Sequence, residues 1–292
     1  MLTAAFRYEC DGLFPTDALS AIAEGLLAPI DTVLRDKSTL IFAPNMELYG
    51  IPFQAMSWDG EHLVETHTIS YVASGLGLLE GVQRLGKDPL TPSSSCLFLG
   101  VPTVSYSDLG KLPGVNAEIE SIGAFFNAPV IRVDPPAKSQ DILENSAPPQ
   151  VLHLACHGQP ESAAPLLSRF LMADRPVFAF ELMMSDLDVD VAVITACETA
   201  KASQHVGGHM QSLAAAFLRA GVRTVIAAFW PVDDEASAEF MRDFYQELLQ
   251  GNTAVIALRT AQRHLRAQSR FAHPYFWAPF TVFGVSQPEQ SV

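Results

Sequence analysis

The chain reads as an α/β protein built on a mainly parallel sheet with helices wound over both faces, and three observations predict it. Between about 90 and 285, short apolar runs rich in β-branched residues alternate with longer segments whose apolar residues fall three and four apart. Most of the runs are apolar almost throughout, the pattern of strands buried on both faces. Gly221 and Gly251 close two of the helical segments, where a residue free to turn left-handed ends a helix.

Six runs are expected as strands of one central sheet. They are CLFLGVP (96–102), APVIRV (128–133), QVLHLACHG (150–158), VDVAVITAC (189–197), VRTVIAAFWPV (222–232) and WAPFTVFGV (277–285). The helical segments are GVNAEIESIGAFF, SQDILENSA, MQSLAAAFLRAG, EASAEFMRDFYQELLQG and TAVIALRTAQRHLRAQ, giving a doubly wound layout. The first 90 residues differ: a helix at about 17–35, the strand TLIFAP, then IPFQAMS and HTISYVAS around turn signals. DPLTPSSS (88–95) has the Pro and Ser content of a linker. The expected division is an N-terminal subregion, 1–90, and a core, 91–292, in one continuous domain, because TLIFAP is able to add a strand to the same sheet.

With 18 Lys and Arg against 32 Asp and Glu, the formal charge of −14 opposes binding to nucleic-acid phosphates or anionic lipid surfaces. Cys10, Cys96, Cys156 and Cys197 are widely spaced and form no CxxC pair, which favours a reducing, cytoplasmic setting over a disulfide framework or a zinc cluster. No stretch approaches the roughly 18 apolar residues of a membrane span, and no signal peptide is read at the start. No cofactor and no metal is expected. Phosphate-loop and GxSxG motifs are absent, and GLGLLEG (75–81) lacks the spacing and the distant acid of a dinucleotide loop. His205 and His209 in HVGGHM fall four apart, but Gly207 and Gly208 between them predict a solvated loop.

Parallel strands deliver functional groups at their carboxyl ends. One expected strand ends in Cys156, His157 and Gly158; another ends in Cys197. A lone cysteine at a strand end is ordinarily a small buried hydrophobe, and Cys156, inside its apolar run, is read so. Cys197 differs because "HG" closes a second strand of the same sheet. An imidazole raises the thiolate fraction of a thiol and supplies a proton to a leaving amine, so Cys197 is the candidate nucleophile and His157 the acid/base. A glycine lets backbone N–H groups approach a developing oxyanion, which makes the amides of Gly158 and Cys197 the candidate oxyanion hole. His153 shares strand parity with His157 and is read as structural. Asp233 or Asp234 caps the helix that follows FWPV, leaving the other acid at the crevice to face a substrate cation. Glu198 either hydrogen-bonds its local turn or faces the same cation.

These residues resemble a known family. LACHG, ITACETA, SLAAAFLRAGVRTVIAAFWPVDDEAS, FYQELLQG, ALRTAQRHLR and HPYFWAPFTVFG, in this order, together with LIFAPNMELYGIPFQAMS and ISYVASGLGLL, look like a CHAT domain, the caspase-like peptidase domain often joined to tetratricopeptide repeats. The resemblance implies a caspase-like three-layer sandwich with a central, mainly parallel six-stranded sheet. It also implies a dyad of His157 and Cys197, an oxyanion hole from Gly158 and Cys197, and matching acids at Glu198 and Asp234. What it implies functionally is a regulated cysteine endopeptidase acting on a dedicated protein substrate, in defence or cell death, with a tetratricopeptide-repeat region as partner. No such repeat is read in this chain, so the regulator is expected on a longer polypeptide or a separate one. Thr195 stands two residues before the nucleophile and the QACRG context of animal caspases is missing, so cleavage after aspartate is not expected. From a different class, a catalytically silent interaction module of the same fold is the competing reading.

Overall fold

The computed structural model describes residues 16–44, 48, 50–84, 89–144, 147–161, 163–195, 206–231 and 233–285. Its centre is an eight-stranded sheet of β1 (Thr39–Phe42), β2 (Thr68–Tyr71), β3 (Cys96–Gly100), β4 (Val130–Arg132), β5 (Val151–Ala155), β6 (Val191–Ile194), β7 (Thr224–Ala228) and β8 (Phe280–Gly284). Across the sheet the order is β1-β2-β8-β7-β6-β5-β3-β4. All neighbours are parallel except β7 and β8, which run antiparallel. All six expected strands are present, and the N-terminal region contributes β1 and β2 as two more, joined through Phe283 opposite Tyr71.

Helices cover both faces. α1 (Thr16–Leu27) and α2 (Gly75–Gln83) belong to the N-terminal part; α3 (Val115–Gly123), α4 (Val206–Arg219), α5 (Asp234–Leu248) and α6 (Ala254–Ala267) follow. In α5 the inward residues are Ala236, Phe240, Met241, Phe244, Tyr245 and Leu248, an apolar stripe at helical spacing. Burying each such Phe is worth about 1.5–3 kcal/mol, so the stripe fixes α5 against the sheet. Phe240 stacks on Phe280 of β8 with ring centroids 3.9 Å apart. Asp233 starts α5 by accepting from the amides of Glu235 and Ala236, both at 3.1 Å. Gly221 ends the turn after α4 with φ 111°, and a Cβ there would stand 2.9 Å from the Leu187 carbonyl oxygen, so only glycine fits.

Two expectations are corrected. QVLHLACHG is not one strand: β5 stops at Ala155, the chain bends at Cys156, and His157–Gln159 pairs antiparallel with Arg169–Leu171 in a separate sheet completed by Pro176–Phe178. The reading of HVGGHM as a loop also fails within the described residues, because α4 begins at Val206; His205 lies outside them. GLGLLEG lies within α2.

Strands β3 to β7 all run the same way, so their carboxyl ends open on one edge. That edge collects the loop 101–114 after β3, His157 after β5, Thr195 after β6 and Phe229, Trp230 and Pro231 after β7.

Candidate active site

β5 is buried at all five positions, and the chain carries that burial through the bend into His157 and Gly158. Cys156 is wholly enclosed, and burial pushes its thiol far above the ordinary range, with a backbone contact to Leu171 opposing. A thiol held in that state is inert, as its apolar context predicts.

His157 has no exposed surface, and its strand pairs it with Leu171. Its Nε2 lies 2.7 Å from the carbonyl oxygen of Gly110, in the loop after β3. A carbonyl only accepts, so Nε2 carries the N–H and Nδ1 the lone pair. Gly158, next in the strand, is buried and stands opposite Phe170. The loop holding Gly110 is tied down elsewhere: the Tyr106 hydroxyl donates to the Met172 carbonyl at 2.7 Å, and its phenol is pushed up to about 12, by burial first and then by the charge of Asp174. Sequence reasoning missed both Gly110 and Tyr106. The sole signal available was a turn-rich loop, SDLGKLPG, at the carboxyl end of a strand.

Cys197 and Glu198 lie outside the described residues. The strand leading to them is described up to Thr195, whose amide donates to the Leu154 carbonyl at 3.1 Å. β5 and β6 are direct neighbours, and all four of their register pairs, from Val191 opposite Val151 to Ile194 opposite Leu154, differ by 40 in sequence.

Asp234 is exposed at the start of α5 and is relieved of capping by Asp233. A Cβ on Gly114 would meet its carboxyl at 4.0 Å, so Asp234 faces the end of the loop that carries Gly110. Phe229 and Trp230 are both buried, Phe229 against Tyr71 and Phe283 in the core. The Trp230 indole N–H donates to the Tyr275 carbonyl at 3.0 Å and the Tyr275 hydroxyl to the Pro231 carbonyl at 3.3 Å, so HPYFW braces the segment after β7.

Solved structures share this fold, a mainly parallel sheet flanked by helices. A structure of the Saccharomyces cerevisiae separase–securin complex matches with TM-score 0.55 and 13% identity, over 84% of this chain and 15% of that one. The Arg-specific cysteine proteinase gingipain R matches with TM-score 0.55 and 11% identity, over 94% of this chain and 68% of that one. The family model of the CHAT domain matches residues 16–285, and the chain belongs to that family. It is similar to tetratricopeptide repeat protein 28 of Mus musculus, 35% identical over 106 residues, which is 36% of this chain and 4% of the relative. With the Homo sapiens protein of the same name the identity is 24% over 93% of this chain and 13% of the relative. The chain thus spans a small part of the length of these curated relatives.

Proposed function

We propose that this chain is a cysteine endopeptidase whose nucleophile is Cys197 and whose acid/base is His157. The observation that carries the reading is the buried imidazole of His157, its Nε2 held by the Gly110 carbonyl just past the bend that ends β5, the strand beside β6. In this mechanism His157 Nδ1 takes the thiol proton, and the thiolate of Cys197 attacks the scissile carbonyl. The oxyanion is met by the amides of Gly158 and Cys197, and His157 returns the proton to the leaving amine. Water then attacks the thioester with His157 as base, releasing the carboxylate product and restoring the thiol.

Asp234, and Glu198 beside the nucleophile, favour a basic residue before the cut bond. The substrate is a dedicated protein and the cleavage is regulated; the name of the matched relatives supports a tetratricopeptide-repeat region as the regulatory partner. The family resemblance favours a role in defence or programmed cell death, and four widely spaced cysteines with no CxxC pair favour the cytoplasm. Among the described residues no helix is long and apolar enough to cross a membrane.

The test is a comparison of new protein N-termini after incubating the cell's own proteins with the wild-type chain and with Cys197→Ala. A fragment made by the wild type alone supports the peptidase. Fragments that persist undiminished with Cys197→Ala exclude Cys197 as the nucleophile, and a partner retained without cleavage by either protein favours the silent interaction module.

A further inference from the structure

β5 reads Val-Leu-His-Leu-Ala, and its middle residue, His153, has no exposed surface. A buried imidazole in an apolar strand is costly unless both ring nitrogens find partners. Here the partners come from three elements. Nδ1 lies 3.0 Å from the Tyr245 hydroxyl on α5. Nε2 lies 3.4 Å from Thr195 Oγ1 and 3.2 Å from Glu118 Oε1 on α3, the latter off the hydrogen-bond direction. The Tyr245 phenol is held well above its ordinary range, by burial first and then by the Glu118 carboxylate and Cys96, so it stays an O–H donor to Nδ1. The ring proton therefore sits on Nε2, toward Thr195 and Glu118.

Each of these partners leads to one arm of the site. Thr195 follows β6 and precedes Cys197 by two residues. Glu118 stands on α3, which starts directly after the loop whose Gly110 accepts from His157. Tyr245 is on α5, which opens with Asp234. We propose that His153 is a positioning residue, locking the strand end that runs to Cys197 against α3 and α5 so that thiol and imidazole are presented together. The inference rests on the reading of Cys197 and His157 as a dyad.

The test is the rate at which iodoacetamide alkylates Cys197, followed by peptide mapping from pH 5 to 9 on the full chain, with thermal midpoints measured in parallel. The proteins are wild type, His153→Phe, Thr195→Val, Thr195→Ser and His157→Ala. With the fold intact, His153→Phe and Thr195→Val are expected to slow alkylation below pH 8 by about tenfold, within the roughly hundredfold that a 1 Å misplacement costs. Their profiles move toward that of an ordinary thiol, near pH 8.5. Thr195→Ser, which restores the hydroxyl, keeps the wild-type rate and profile. Should His153→Phe fail to fold, Thr195→Val decides, because it removes only the hydroxyl. Wild-type rates in folded Thr195→Val overturn the inference, as does equal slowing in Thr195→Val and Thr195→Ser at every pH. Slow His157→Ala with fast Thr195→Val removes this inference alone, whereas wild-type reactivity in His157→Ala removes the dyad and the inference together.

Discussion

His157 and Gly110 are 47 residues apart in sequence, yet the imidazole Nε2 reaches the Gly110 carbonyl across 2.7 Å. That bond fixes the N–H on Nε2, and in the proposed reading it brings the loop after β3 to the site. A backbone carbonyl does this without any special side chain.

The loop is held by Tyr106, so Tyr106→Phe should loosen it. Loss of the bond to Met172 is expected to cost about 0.5–1 kcal/mol in denaturant unfolding. Alkylation of Cys197 should slow beyond what that small destabilisation explains. Since the phenol is pushed up to about 12, the wild-type link is expected to survive unchanged across neutral and moderately alkaline pH. An unchanged alkylation rate in the folded variant separates Tyr106 from the site.

Asp233 and Asp234 divide two roles between them. Asp233 caps α5, so Asp233→Ala should lower stability by about 1 kcal/mol. Asp234→Ala should stay within about 0.5 kcal/mol of wild type. Its effect is expected on selectivity, as a weaker preference for Lys or Arg before the cut bond across a panel of peptide electrophiles. An unaltered preference removes Asp234 from the specificity site.

His62 gives the stability a pH dependence of its own. Burial is the largest cause holding its imidazole below 6.5, Arg266 adds to it, and the Ala55 carbonyl and Glu65 oppose it. Well above pH 6.5 folded and unfolded chains both carry it neutral. As pH falls below that value the unfolded chain gains the proton first, so stability is lost until the folded-state value is passed. His62→Asn keeps a donor for the Ala55 carbonyl, which lies 2.8 Å from Nδ1, and removes the titration. Its thermal midpoint should therefore fall less between pH 6.5 and 5 than the wild type's, and an identical fall contradicts the assignment.

Much of the core was legible because strands buried on both faces leave unbroken apolar runs: CLFLG, VLHLA and TVIAA all read correctly. The break at Cys156 was not, since its side chain is as buried as those before it and only tertiary pairing with Arg169–Leu171 redirects the chain. The three-residue strands Arg169–Leu171 and Pro176–Phe178 are too short to show a period. Gly207 and Gly208 favoured a loop by propensity, yet α4 runs through them, an instance of tertiary context outweighing a cost of about 1 kcal/mol per glycine. In the candidate site, the sequence placed His157 and Gly158 at the end of an apolar run and Asp234 at a helix start, where the structure also has them, and their roles belong to the proposal. Gly110 could not be named, because its contribution is a carbonyl that every residue type carries.

The most direct measurement is labelling of the full chain with a peptide carrying a thiol-reactive electrophile and a basic residue at the position before the reactive carbon, with every cysteine mapped by mass spectrometry. The account predicts selective modification of Cys197 over Cys10, Cys96 and Cys156, abolished in His157→Ala while the fold persists. Equal modification of accessible thiols, or labelling of Cys197 that is indifferent to His157, contradicts it.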